Sequence, residues 1–114
     1  MELGQRGTLD MECLKYKITK QGEVALFNFE LDEAIEPEDL KKIKLPDPVA
    51  ESVTRMAVVI SGRGPIWLYG FIIHHFHPCM AVAVFDPRLG KAVIVESHSK
   101  KYTIGETIDI NIGG

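Results

Sequence analysis

The segment Met56-Ala57-Val58-Val59-Ile60-Ser61-Gly62-Arg63-Gly64-Pro65-Ile66-Trp67-Leu68-Tyr69-Gly70-Phe71-Ile72-Ile73-His74-His75-Phe76-His77-Pro78 decides the fold. Its first part is apolar without alternation, which suits a β-strand covered on both faces. Two glycines and one cation then form a tight loop. Pro65 suits the first position of a helix, where its missing N–H would have no partner. The helix predicted over 65–76 is apolar all round, so it should be buried on more than one side. A second subunit is an economical cover for that second face. Residues 80–85 return as another apolar strand, and a strand–loop–helix–strand unit implies a parallel pair with a right-handed crossover.

Working outward, Leu14, Tyr16 and Ile18 alternate with Lys15 and Lys17, the period of a half-buried strand. Gln21-Gly22 turns the chain into a second strand over 23–31, giving an N-terminal hairpin. Residues 36–42 read as a short helix with acids in its first turn and lysines in its last. Leu45-Pro46-Asp47-Pro48 breaks it. Asp86-Pro87-Arg88-Leu89-Gly90 is turn chemistry between strands over 80–85 and 92–95, and 106–112 adds a last strand. Residues 1–11 show no periodicity and read as a disordered leader. The predicted fold is α/β (α+β): one small domain over 1–114, a mixed sheet with two helices, and a ferredoxin-like or Rossmann-like plan.

The composition narrows the function. The chain has 114 residues, 46% of them hydrophobic, and a net charge of −3. That balance argues against a broad basic surface for long nucleic acid. It leaves room for a small anionic ligand held by a few local cations. Cys13 and Cys79 form neither a C-x-x-C pair nor a disulfide framework, which fits a reducing cytoplasm. No apolar run approaches the length of a bilayer span, so no membrane association is expected.

Four motifs carry chemistry. Ser61-Gly62-Arg63-Gly64-Pro65 reads as a loop that lets backbone approach a phosphate, with Arg63 as a forked donor at an electropositive helix end. Without function, it is a tight turn with a solvated arginine. It is neither a Walker loop nor a dinucleotide fingerprint. In His74-His75-Phe76-His77-Pro78, His74 and His77 share a helical face. They are either imidazoles favoured by the dipole at a helix C-terminus or a base or metal ligand. Asp86 ends a strand, where α/β proteins place ligands, though a turn-former before Pro87 is its commoner role. Arg88 follows in the same turn. Ser97-His98-Ser99 adds hydroxyls and a fourth imidazole. No Gly-x-Ser-x-Gly elbow is present, and a zinc site from His74, His77, Cys79 and Asp86 lacks paired ligand spacings.

Together with Phe85-Asp86-Pro87-Arg88-Leu89-Gly90 and Val95-Glu96-Ser97-His98-Ser99, these motifs resemble the small type III CRISPR-associated ring nucleases of the third class, first described as manganese-dependent RNA 3′-exonucleases. The resemblance covers residues 56–99 strongly and the hairpin only in general pattern. It implies a ribonuclease that degrades cyclic tetra-adenylate, the second messenger of type III antiviral defence. It also implies a homodimer that assembles into tetramers or stacked oligomers with the ligand. On this resemblance His77 and Asp86 are the catalytic residues, with the choice among His74, His75 and His77 open. Ser61, Gly62, Arg63, Gly64, Pro65, His74, Arg88, Ser97 and His98 are candidates for substrate binding. His77 and Asp86 are also candidate ligands for Mn2+, since oxygen and imidazole donors suit that ion. The rival expectations are a manganese-dependent 3′-exonuclease on short RNA tails and a non-catalytic cyclic oligoadenylate sensor.

Overall fold

A hairpin opens the sheet, its first strand burying Leu14 and half-burying Ile18 on one face. The computed structural model describes residues 14–112; the leader expected over 1–11 lies outside them. Strand β1 (Leu14–Gln21) turns at Gly22, whose φ of 62° favours glycine, into β2 (Val24–Leu31). Then follow a 3-10 helix (Pro37–Lys41), β3 (Ala57–Ser61), α1 (Ile66–His75), β4 (Ala81–Asp86), β5 (Lys91–Ser97) and the short β6 (Thr107–Ile108). The strands lie in the order β1-β2-β3-β4-β5-β6. β2, β3 and β4 are parallel, and the outer pairs are antiparallel. In the β4–β5 pair the register shifts between Val82 and Ala83, a β-bulge.

This is the mixed sheet with a parallel strand–loop–helix–strand unit that the sequence predicts. Three points differ. The second predicted helix is a five-residue 3-10 turn. Asp39 folds back to accept the Glu36 N–H at 2.7 Å, but the segment is too short to sustain α-helical bonding before the prolines. The sheet order is neither ferredoxin-like nor Rossmann-like. Each strand lies beside its neighbour in sequence, and the single α-helix among the described residues covers one face only. The last strand is two residues long, although Ile110 and Ile112 beyond it still pack on the sheet.

Strand alternation explains the two cores. Ala25, Phe27 and Phe29 of β2, Val58 and Ile60 of β3, and Val82 of β4 face α1 and the 32–56 connection. That connection contributes Ile43 and Val53, and the helix contributes Leu68 and Ile72, with Phe76 just beyond its end. Leu26, Val59, Ala83, Ala92 and Ile94 face the other way, under Tyr102, Ile108, Ile110 and Ile112. Both parallel connections thus lie on one face and advance in one direction, as crossovers of one hand do. Full burial of Leu68 and Ile72 stabilises the helix–sheet contact by roughly 1.5–3 kcal/mol each. The outward face of α1 carries Ile66, which is 88% exposed, and the exposed Gly70 and His74. No helix among the described residues is long and apolar enough to cross a membrane.

Candidate functional site

The predicted site residues fall at two opposite ends of the sheet. The carboxyl ends of the parallel strands carry the Ser61-to-Pro65 loop and the Asp86–Arg88 turn. Helix α1 then runs back, so the chain leaving it reaches the other end. There His77 precedes β4, and Ser97 and His98 close β5, with Ala81 paired to Ser97. The six residues of β4 separate Asp86 from the His77 end by about 17 Å. A joint His77–Asp86 site within one chain, expected from the sequence, is therefore not formed. Among the described residues no group of three or more His, Cys, Asp or Glu side chains stands close enough to hold a metal ion. The proposed manganese pair does not fit within a single copy.

At the first end, the glycines have a structural reason. Gly62 has φ 154°, and a Cβ there would lie 2.5 Å from the Phe29 carbonyl oxygen and 2.6 Å from its ring. At Gly64 a Cβ would meet Leu68 Cδ2 at 2.9 Å. The loop thus needs glycine to pack on Phe29 and the helix, whereas the sequence alone suggested approach to a ligand. The Tyr69 hydroxyl donates to the Gly62 carbonyl at 2.5 Å and ties the loop to α1. Burial raises the Tyr69 phenol above its ordinary value. Pro65 stands one position earlier than predicted, as the N-cap with ψ 156°, and its carbonyl accepts the Leu68 N–H at 3.0 Å. Ser61 is buried. The Arg63 side chain is exposed and makes no hydrogen bond or ion pair with any described residue. It borders a groove of about 540 Å³ against β1 and β2.

Asp86 performs its turn role here. It accepts the Arg88 backbone N–H at 2.8 Å and the Arg88 guanidinium at 3.2 Å. The Arg88 side chain and N–H hold the Asp86 carboxyl below its usual range, and Asp86 in turn raises Arg88.

At the second end the three histidines have different surroundings. His75 Nε2 lies 2.6 Å from the Pro46 carbonyl, so this ring anchors the 32–56 connection. His74 is exposed on the last turn of α1. His77 Nδ1 lies 3.0 Å from Glu96 Oε1, with the His77 side chain 55% exposed. A carboxylate at Nδ1 favours a proton there and leaves Nε2 as the proton acceptor. His98 stands beside it, ring centroids 4.8 Å apart and nearly perpendicular, and its Nε2 lies 3.0 Å from the His77 carbonyl. Ser97 is structural: its hydroxyl lies 2.6 Å from the Tyr102 carbonyl and 2.8 Å from that of Ser99, and accepts the Ser99 N–H. Cys79 is wholly buried in the helix-side core, and burial pushes its thiol up to about 11.

Sequence reasoning passed over Glu96, although it stands inside the Val95-to-Ser99 motif. It also treated Lys15 and Lys17 only as the polar phase of an alternation, although that phase places both on one face of β1 at the groove.

A loop with an unpaired arginine at one end of a small mixed sheet, and a carboxylate-oriented histidine at the other, define a small α/β protein with two separated polar sites. Comparison with known proteins narrows this class: residues 28–109 match the family described as CRISPR-associated protein (Cas_csx3), and the chain belongs to that family. It is also similar to an uncharacterized protein of Aquifex aeolicus (strain VF5), 48% identical over 98 residues, covering 85% of this chain and 88% of the relative.

Proposed function

We propose that this CRISPR-associated protein is a ribonuclease that opens cyclic tetra-adenylate and so ends type III antiviral signalling. The observation that carries the reading is the exposed His77 imidazole with Nδ1 at Glu96. Such a dyad holds an imidazole in one orientation for proton transfer, which phosphodiester cleavage requires. The Ser61-to-Pro65 loop, with its unpaired Arg63 at a helix N-terminus, is the complementary place for phosphates. His77 and Asp86 stand at opposite ends of one chain, so the reading requires more than one copy. In a stacked assembly, the Asp86 end of one copy meets the His77 end of the next. Any manganese ion held by His77 and Asp86 would then draw its ligands from two subunits. A symmetric oligomer also presents the same groups more than once to a ring of repeating phosphates.

The same separation favours a second reading, a non-catalytic sensor of cyclic oligoadenylate, since the anion loop alone suffices for binding. The deciding experiment is incubation of the full chain with cyclic tetra-adenylate, with manganese or with chelator, followed by chromatography. Linear products support the ribonuclease. Binding without opening under both conditions supports the sensor. Shortening of linear RNA ends alone replaces both with a 3′-exonuclease.

A further inference from the structure

Apart from Arg63, the lining of the groove lies outside the motifs that suggested the function. Strand alternation places Lys15 and Lys17 on one face of β1, opposite Glu30 and Asn28 of β2. Asn28 in turn pairs with Ser61, where the arginine loop begins. Lys17, Asn28 and Ser61 thus form a cross-strand row that leads to Arg63. The groove is lined by the cations Lys15, Lys17 and Arg63 and by one carboxylate, Glu30, in a chain whose net charge is −3. Among the described residues the side chains of Lys17 and Arg63 have no hydrogen-bond or ion-pair partner. Among the described residues Lys15 pairs with Asp32 at 3.4 Å, both side chains half-exposed, a pair worth little in water. Cations gathered on a concave surface repel one another, and a polyanion relieves that repulsion.

We infer that this groove tracks the sugar–phosphate backbone of a short RNA, linear or cyclic. Lys17 and Arg63 hold neighbouring phosphates, Lys15 joins them by releasing Asp32, and Asn28 hydrogen-bonds a ribose or base. Two lysines two residues apart on a strand are separated by about 7 Å, comparable to the phosphate spacing of an extended single strand. Its volume of about 540 Å³ suits a nucleotide-sized ligand. The inference rests on reading the arginine loop as the phosphate site of the proposed function, and it extends that site onto β1 and β2.

The test is fluorescence anisotropy of the full chain with fluorescein-labelled linear tetra-adenylate over a range of salt, with unlabelled cyclic tetra-adenylate as competitor. Each phosphate contact contributes about −0.7 to the salt slope for a single strand. Lys17→Gln should weaken binding about tenfold and reduce the slope by about 0.7. Adding Lys15→Gln should deepen both effects. Glu30→Gln should tighten binding several-fold, a gain that misfolding cannot produce. Unchanged affinity and slope in both lysine variants, without a gain in Glu30→Gln, overturns the groove. In that case, continued binding that is lost in Arg63→Ala leaves the proposed function standing. If the linear probe binds in a lysine-dependent way but the ring does not compete, the groove holds and the cyclic substrate is lost. Failure of both ligands to bind the wild type overturns the groove.

Discussion

His77 and Glu96 stand 19 residues apart in sequence and meet at 3.0 Å, Nδ1 to Oε1, at the amino end of β4. The contact gives the exposed imidazole a preferred orientation. It also separates His77 from His75, which is committed to the Pro46 carbonyl, and from His74, which stands on the last helical turn.

If His77 moves the proton in phosphodiester cleavage, His77→Ala should lower the rate at least about a hundredfold, the scale of a lost general acid–base group. Glu96→Gln keeps the shape but removes the charge that orients the ring, and should cost about ten- to hundredfold. His75→Ala should leave the chemical step nearly unchanged and lower thermal stability instead. Single-turnover rates and melting curves of the three variants check this ordering.

The distance between the two ends gives a second test. His77→Ala and Asp86→Ala should each be at least about a hundredfold less active alone. Mixed, they should recover activity, because a stacked pair can contribute His77 from one variant and Asp86 from the other. No recovery, with assembly confirmed by sedimentation, would place the two residues in separate roles.

The loop glycines should matter for stability before ligand is added. At Gly62 an alanine Cβ meets the Phe29 carbonyl oxygen in a backbone conformation that side chains rarely adopt. Gly62→Ala should therefore destabilise the fold by about 2–4 kcal/mol, read as a lower denaturant midpoint. Gly64→Ala should cost less, because the nearest atom it meets is a leucine methyl.

Alkaline pH should report on Tyr69. Burial raises its phenol above the ordinary value of 10.0, and only the neutral phenol can donate to the Gly62 carbonyl. Its stabilising contribution is complete below the pKa of the unfolded chain. As pH rises above 10, the unfolded state ionises first, and the contribution is lost through the higher folded pKa. Tyr69→Phe should lower the melting temperature by about 4–8 °C near neutrality, for about 1 kcal/mol. It should also flatten the loss of stability above pH 10.

The hairpin and the parallel unit are legible in the sequence because each follows from a local period: alternation in Leu14, Tyr16 and Ile18, continuous apolarity in Val58, Val59 and Ile60. The 3-10 turn is less so, because acids first and lysines last suit any short helical turn. Sheet order is not local at all, since the same elements also suit interleaved plans. The candidate residues are legible as types, but their grouping depends on chain direction. A residue after a strand and a residue after the following helix lie at opposite ends of the sheet, and proximity in sequence hides this for His77 and Asp86.

The β-bulge between Val82 and Ala83 decides which way Glu96 points. Val82 faces the helix and Ala83 the opposite core, and residues directly opposite in an antiparallel pair share a side. Ile94 is opposite Ala83, but Glu96 is opposite Val82, so Val95 is the extra residue. In an unbroken ladder Glu96 would stand opposite Ala81 and face away from the helix. The bulge thus absorbs Val95 and keeps Glu96 opposite Val82, on the side where it reaches His77; deleting Val95 would straighten the ladder and leave Glu96 facing the same way. The dyad is a product of strand register, and a motif scan that counts residue types cannot detect it.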